Sequence, residues 1–341
     1  MEPIPAPSIR IRDVAAHAGV GVATVSRVLN GRAHVAEPTR LRVEAAIKEL
    51  EYRPSTVARN LSLGRTLVVG VVVPFLTSPS AVVRLRGAVE ALAASPYDLA
   101  LIDVETEDRR RRAFDVIGRP DRADGLLVIS MIPEDEEVAQ LGRARIPCVL
   151  VDGAHSALPH LVVDDVAGGE LATRHLIELG HRRIAFIGDK PSDPFRPGST
   201  RDRTAGYERA LHAAGIELRH SYIRAGTQSI EQARQTALVL LRLPQRPTAI
   251  FAASDLQALG VLEAAAAEGI RVPEELSVVG FDDIEIAPFA GLTTVRQPLH
   301  ESGRRGAELL LSVLGGELEP MSVTLPLELV ERRTTAPAPG V

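Results

Sequence analysis

Between residues 11 and 31 the apolar positions repeat at helical spacing twice over. Val14, Ala15 and Ala18 fall at i, i+1 and i+4, and Val25, Val28 and Leu29 at i, i+3 and i+4, each one buried helical face, so two short helices can close their apolar faces on each other. Ala15 is small where they would approach. Gly19 stands where the first must stop, and a glycine tolerates the positive φ such a corner requires. Thr24, Ser26, Arg27 and Asn30 are left on the outside of the second helix. This is a helix-turn-helix pattern, whose second helix lies in the DNA major groove. Two ordinary helices of an α-helical domain account for the apolar spacing but not for that polar set. Val43, Ala46, Ile47 and Leu50 line a third helix that completes the small core, and Pro54 is expected to stop it. Ser55 and Gly64 bracket two further helical turns. Such a piece is marginal in water and is expected to order only with DNA and a partner chain present.

From Thr66 onward the pattern changes to apolar runs alternating with amphipathic stretches. TLVVGVVVP, YDLALIDVE, DGLLVIS and PCVLVDG read as buried strands, and VVRLRGAVEALAAS, RRRRAFDVIG and DEEVAQLGRA as helices. The alternation restarts at VAGGELATRHLIELGHRR and runs through RRIAFIGD, TAGYERALHAAG, SIEQARQTALVLLRL, PTAIFAASD, LGVLEAAAAEG and ELSVVGFDD. Continuous apolar strands alternating with helices imply parallel sheets covered on both faces. Two such runs imply two similar lobes with a cleft between them.

Composition refines this picture. A chain of 341 residues with 45% hydrophobic residues supports two or three units and a sizeable core. The net charge of -5 is unevenly placed: residues 1–65 carry 10 Lys and Arg against 6 Asp and Glu, the remainder 29 against 38. A basic head on an acidic body is the asymmetry of a DNA-binding module attached to a sensing domain. The single cysteine, Cys148, excludes an internal disulfide and a cysteine-rich zinc site, and its setting in IPCVLVD reads as a buried, inert strand residue. No apolar run has the length of a membrane span, and MEPIPAPSIR lacks the apolar core of a signal peptide, so a soluble, cytoplasmic protein is expected. Pro3, Pro5 and Pro7 mark residues 1–8 as a disordered leader.

DVAAHAGV, ATVSRVLNG, RVEAAIKELEYRPS and VARNLS form a long, ordered run that resembles the LacI/GalR (lactose-repressor) family of bacterial transcription regulators. The resemblance implies that Val22, Ala23 and Arg27 read bases in the major groove, arginine by a bidentate pair to guanine and small apolar side chains against a thymine methyl. It implies that Thr24, Ser26, Asn30 and Arg53 hold phosphates. Leu61 matches the family's hinge-helix wedge, which enters from the minor groove and kinks DNA, with Ala58 beside it; a core leucine at a domain boundary is the other reading of Leu61. Gly21 replaces the Ser or Thr that usually caps the recognition helix, a small loss of capping and of one hydroxyl to phosphate.

LIELGHRRIAFIG, RTAGYERAL, AIFAASDLQALGVL, LSVVGFDD and LTTVRQP extend the likeness to the family's regulatory part, which resembles periplasmic sugar-binding proteins. The implied fold is an N-terminal all-α helix-turn-helix DNA-binding domain plus an α/β two-lobed periplasmic-binding-protein-like regulatory domain. The boundaries read as a DNA-binding domain over 9–54, a hinge helix and linker over 55–65, a regulatory domain over 66–335 and a tail over 336–341. Lobe 1 takes 66–164 and 294–322, and lobe 2 takes 165–293 and 323–335. The crossings lie near Val163 to Val166, Gly291 to Val295 and Met321 to Thr324, and VTLPLELVERRT adds its strand to the second lobe.

Ligands of open α/β sheets bind beyond the carboxyl ends of strands. Asp152, Ser254, Asp255 and Asp282 end apolar runs there, and Arg203 in RTAGY matches the family's pocket arginine. Carboxylates accepting from hydroxyls, with a guanidinium donating in a fork, suit a polyhydroxylated effector. Asp152, Ser254, Asp282 and Arg203 are therefore ligand candidates, whereas Asp255 reads better as a helix cap and Asp283 as a loop-ordering residue. Family members carry an Asn-Pro-Phe-Phe-like stretch after the first strand; here PFLTSPSAVV has Ser80 and Ala81 in place of the aromatics, leaving Phe75 and Phe195 as candidate apolar platforms.

The expected function is ligand-controlled transcriptional regulation, as a repressor, by a homodimer on a pseudo-palindromic double-stranded DNA operator. A carbohydrate effector is expected, with no cofactor, metal or membrane partner. A solute-binding transport protein of the same two-lobed fold is the alternative, but it needs an export signal and no DNA module. An enzyme needs a site: no Walker loop or HExxH occurs, GVGVAT follows a helix and lacks the last glycine of a dinucleotide fingerprint, and the nine histidines are scattered. His181 reads as a helix-end residue, and Asp164 and Asp165 as a lobe-crossing loop.

Overall fold

Helix α1 (Ile11–Ala18) ends at Gly19, which takes φ 62° and ψ 40° and returns its N–H to the carbonyls of Ala15 and Ala16. Gly21 then opens α2 (Val22–Leu29) with its carbonyl, accepting from Thr24 N at 2.8 Å, with no side-chain cap. Helix α3 (Glu37–Glu49) closes the head, and Val14, Ala15, Ala18, Val25, Val43, Ala46 and Tyr52 form its core. This third helix stops five residues before the expected Pro54. Its end is made locally, by Glu51 at φ 47° and by Tyr52 N donating to Ile47 O, which turns the Tyr52 ring into the core.

The computed structural model describes residues 9–29, 35–52, 65–189, 198–226, 229–317 and 322–340. The leader, Pro54 and the hinge over 55–64 lie outside them. The chain divides into two units, Met1–Leu67 and Val68–Val341.

In the second unit β1 (Val68–Val73), α4 (Pro79–Ala93), β2 (Asp98–Asp103), α5 (Glu107–Ile117), β3 (Gly125–Ile129), α6 (Asp135–Ala144), β4 (Cys148–Val151) and β5 (His160–Val163) build the first lobe. The chain then crosses, and α7 (Asp165–Glu178), β6 (Ile184–Asp189), α8 (Ser199–Ala213), β7 (Ile223–Gly226), α9 (Ile230–Leu241), β8 (Ala249–Ala252), α10 (Asp255–Ala267), β9 (Ser277–Asp282), the short α11 (Ala287–Ala290) and β10 (Thr293–Arg296) build the second. It returns through α12 (Leu299–Gly315) and β11 (Ser322–Leu325) and ends with β12 (Glu328–Val330). The sheets run β11-β5-β4-β3-β1-β2 and β12-β10-β9-β8-β6-β7. All pairings are parallel except β10 with β12. The central strands β3, β4, β6, β8 and β9 are buried along their whole length, because helices cover both faces.

Pairing corrects two lobe boundaries. Residues 294–296 belong to the second lobe, since Val295 lies opposite Phe281. Residues 323–325 belong to the first, since Thr324 lies opposite Val162. VTLPLELVERRT is thus split: its start joins the first sheet and Glu328–Val330 the edge of the second. Helix α12, unassigned in the sequence reading, packs along α4. Its Gly303 and Gly306 look like helix breakers, yet a Cβ at either would meet Arg84 O at 1.8 Å or Val151 Cγ2 at 2.3 Å.

His181 is a buried cross-brace. Its Nδ1 lies 3.0 Å from Thr248 Oγ1, and its Nε2 3.0 Å from Ser277 Oγ and 3.1 Å from the Ala336 carbonyl. Burial holds its pKa below the ordinary 6.5, as it does for His175. The unfolded chain therefore binds these protons more readily. Their contribution to stability is complete above pH 6.5 and is lost as pH falls through and below that value. We expect the melting temperature to drop from pH 7.5 to 5.5, and His181→Gln, measured the same way, to show a shallower drop; an unchanged slope would remove His181 as a cause.

Candidate functional site

In the head, α2 presents Val22, 41% exposed, with Ala23 and Arg27 also exposed, while Thr24 and Ser26 are half-buried. Burying Val25 against α1 and α3 turns that side inward and the other outward. An exposed valine beside an exposed arginine is a poor solvent face but a serviceable groove-facing one. Asn30, Arg53, Ala58 and Leu61 lie outside the described residues.

In the second unit a cavity of about 360 Å³ opens between the lobes, at the carboxyl ends of the strands. There the chain bends sharply. Ser130 after β3, Asp152 after β4 and Asp282 ending β9 have φ of 54°, 61° and 114°. Backbones in this region cost energy in non-glycine residues and gather at functional sites; here all three side chains reach the cavity wall.

Two buried arginines organise that wall. Arg203 on α8 is 4% exposed. Its Nε donates to Asp165 Oδ1 at 2.7 Å, its Nη1 donates to the Ala253 carbonyl at 2.5 Å and lies 4.0 Å from Asp282 Oδ1, and its Cζ sits 3.6 Å from the centre of the Phe281 ring. Arg84 on α4 is 3% exposed, and its Nη2 contacts Asp152 Oδ1 and donates to Gln297 Oε1, both at 3.0 Å. Gln297 in turn donates its amide to Asp282 Oδ1 at 2.6 Å, and Ser130 Oγ donates to Asp152 Oδ2 at 2.7 Å. A hydrogen-bonded chain thus crosses the cleft floor from the first lobe to the second. Among the described residues Arg84 Nε is buried without a partner.

Burial pushes the Asp165 carboxyl up to about 6 although Arg203 opposes the shift. It raises Asp282 as well, against the pull of Arg203 and Arg84. Burial also works against the Arg203 charge, but Asp165 and Asp282 more than hold it in place. Loss of water outweighs pairing for the carboxylates, and the guanidinium stays protonated throughout.

The structure brings Asp152, Arg203 and Asp282 onto one wall and leaves two other candidates off it. Ser254 is 2% exposed and caps α10, its hydroxyl accepting from Gln257 N at 3.3 Å. Phe75 is half-buried and packs against the first-lobe core with Ile102 and Leu158. Phe195 lies outside the described residues. Asp255 is not the cap that the sequence suggests: its buried carboxylate accepts from Thr294 Oγ1 at 2.6 Å and Ile284 N at 2.8 Å, tying β10 to the loop after β9. Asp283 pairs with Arg296 and Arg332, each at 2.7 Å. Asp164 caps α7, accepting from Ala167 N, whereas its neighbour Asp165 reaches the cavity.

Arg84, Gln297 and Ser130 escaped the sequence reading, and Asp165, read there as part of a lobe-crossing loop, lines the cavity. Arg84 had a legible signal, since Ala81, Arg84 and Ala88 form one buried helical stripe and an arginine there needs a buried partner. Cys148 is buried and its thiol is pushed up to about 12, which leaves it inert. Among the described residues no cluster of three or more His, Cys, Asp or Glu could hold a metal ion, and no helix is long and apolar enough to cross a membrane.

Comparison with known proteins agrees with both units. Residues 10–55 match the family described as bacterial regulatory proteins, lacI family, and residues 173–335 match the periplasmic binding protein-like domain. The HTH-type transcriptional repressor PurR of Escherichia coli is 35% identical over 340 residues, 96% of this chain and 97% of that one. The lac repressor dimer bound to operator and the anti-inducer ONPF superposes with TM-score 0.83 at 28% identity, covering 96% and 99% of the two chains. The transcriptional regulator CelR in complex with cellobiose superposes with TM-score 0.71 at 33% identity, over 96% and 99%.

Proposed function

The chain belongs to the lacI family of bacterial regulatory proteins, and from that membership we propose that it is a repressor whose operator affinity is set by a sugar or sugar derivative held between its lobes. Its relatives are transcriptional repressors, not enzymes. We place its action in the cytoplasm, where its DNA is, as a homodimer reading a pseudo-palindrome with one head per half-site. The observation that carries the effector reading is the pair of carboxylates from opposite lobes, Asp152 and Asp282, facing one cavity with Arg203. Carboxylates accept from sugar hydroxyls and the guanidinium donates to ring and hydroxyl oxygens. CelR, with cellobiose in its complex, supports the sugar class. Closure of the lobes on the effector would alter the spacing at the hinge over 55–65, with Ala58 and Leu61 acting in the minor groove and Asn30 and Arg53 on phosphates.

A thermal-shift screen of sugars, sugar phosphates, polyols and nucleobases tests the reading. An effector at about a hundred times its Kd adds about 2.7 kcal/mol of stability. The shift should vanish in Asp282→Ala. A shift that persists there places the ligand elsewhere.

For the DNA side, Arg27 is the proposed guanine reader, with Val22 and Ala23 beside it and Thr24 and Ser26 on phosphate. Arg27→Ala should cost about 1–3 kcal/mol of specific binding and relax preference at one base pair per half-site. Selection from a randomised duplex pool reads this directly. An unchanged preference with uniformly weaker binding would assign Arg27 to phosphate.

A further inference from the structure

The buried charges of the cleft are already matched, with one carboxylate left over. Asp152 lies 3.0 Å from Arg84 Nη2, and Asp165 lies 2.7 Å from Arg203 Nε. Towards the mouth, Arg201 is taken by Asp202 at 2.8 Å. Asp282 is the remainder: the donor it holds is the Gln297 amide at 2.6 Å, and Arg203 Nη1 stands off at 4.0 Å. Among the described residues, then, neither buried arginine of the wall is free to balance an incoming anion, and Arg201 with Asp202 is an exposed pair at the mouth. Burial pushes the Asp282 carboxyl upward, against the pull of Arg203 and Arg84. The Nε of Arg84, behind its paired Nη2, is buried without a partner among the described residues.

We propose that the cleft selects its effector by charge, taking an uncharged polyhydroxylated molecule or one bearing an ammonium group and rejecting phosphate monoesters and other anions of the same skeleton. This inference rests on the cleft being the effector site. A hydroxyl suits the remaining carboxylate, donating to Asp282. An ammonium group answers Asp282 with a charge-assisted bond, about twice as strong as a neutral one. A phosphate would bring negative charge beside a carboxylate where water is sparse and repulsion is strong. To receive it, Arg84 or Arg203 would have to leave Asp152 or Asp165, stranding a buried carboxylate. Ser80 and Ala81, small residues a turn before Arg84 on the same helix, line the wall and leave the effector room to reach it.

The test uses the full chain and matched sets of ligands: a neutral hexose or disaccharide, its 2-amino-2-deoxy form and its 6-phosphate, with inorganic phosphate alone as the anion probe against chloride at equal ionic strength. Within any set that binds, the phosphate should be weaker than its parent by about tenfold or more. Inorganic phosphate should give no saturable thermal shift with the native chain. Asp282→Asn, which removes the surplus charge at nearly constant volume and relieves a buried carboxylate, should melt no lower than the native chain and acquire a saturable phosphate response. A 6-phosphate that binds more tightly than its parent overturns charge selection while leaving the cleft as the effector site. So does a saturable phosphate shift of the native chain that Arg84→Met abolishes. A sugar whose stabilisation is unaltered by Asp282→Asn and by Asp152→Asn removes the cleft reading itself.

Discussion

Replacing Arg203 with methionine is expected to lower the stability of the regulatory domain by about 3–5 kcal/mol at neutral pH, the usual cost of stranding one member of a buried ion pair. Methionine keeps the apolar stem of the side chain but removes the guanidinium, so the stacking of Cζ on the Phe281 ring is lost together with the charge. What remains is the largely buried Asp165 carboxylate and an unmet Ala253 carbonyl. The pH dependence separates this cause from simple packing. In the native chain the Asp165 pKa is about 6, above its unfolded value of 3.8, so folding takes up a proton between those values. Stability from that proton is complete below 3.8 and is lost as pH rises through about 6. Without Arg203 the folded pKa climbs further. The deficit should therefore be widest at pH 8 and narrow at pH 5, and Asp165→Asn should restore most of it in the double variant. Urea denaturation of the native chain and the single and double variants at both pH values decides the matter. An equal deficit at both, with no rescue, would mean that packing rather than charge holds Arg203.

Gly303→Ala is expected to be the most damaging single methyl group in the regulatory domain. Its Cβ would lie 1.8 Å from Arg84 O, and the reciprocal Gly87 would place one 2.0 Å from His300 O. The other lobe repeats the device, with Gly169 against Arg203 O at 2.2 Å and Gly206 against Val166 O at 2.1 Å. Each cavity arginine thus rides on a helix whose backbone touches a neighbouring helix at a glycine. Separating α4 from α12 should cost about 1–3 kcal/mol or more, because helix backbones cannot yield as side chains do. It should also displace Arg84, so effector affinity falls along with stability. Gly142→Ala is the control: it lies in α6 with nothing within 4 Å of its Cβ. That change should raise stability by about 0.5–1 kcal/mol through helix propensity. Melting temperatures of both variants and an effector titration measure the contrast, and a Gly303→Ala chain with native stability would show that the helices can part.

Apolar periodicity was enough to locate the head, the two lobes and the cleft, because buried parallel strands and amphipathic helices each leave their own repeat. It could not assign TTVR and SVTL to their sheets. Both are short strands of similar composition, and the pairing of Val295 with Phe281 and of Thr324 with Val162 is settled only by distant partners. The same divide runs through the site. Asp152 and Asp282 were legible as polar residues ending buried strands. Ser254 looked alike, and nothing local distinguishes a hydroxyl that caps a helix from one that faces a ligand. Gln297 meets Arg84 across 213 positions of sequence and had no local mark at all.

Ligand control of DNA binding is tested most directly by titrating the full chain onto its selected operator, by fluorescence anisotropy, with no effector and with saturating effector. Operator affinity should change by about 5- to 150-fold, and the affinity for effector should change by the same factor when operator is saturating, as reciprocal coupling requires. Identical operator affinity in the two titrations, with the effector demonstrably bound in the cleft, would contradict ligand control.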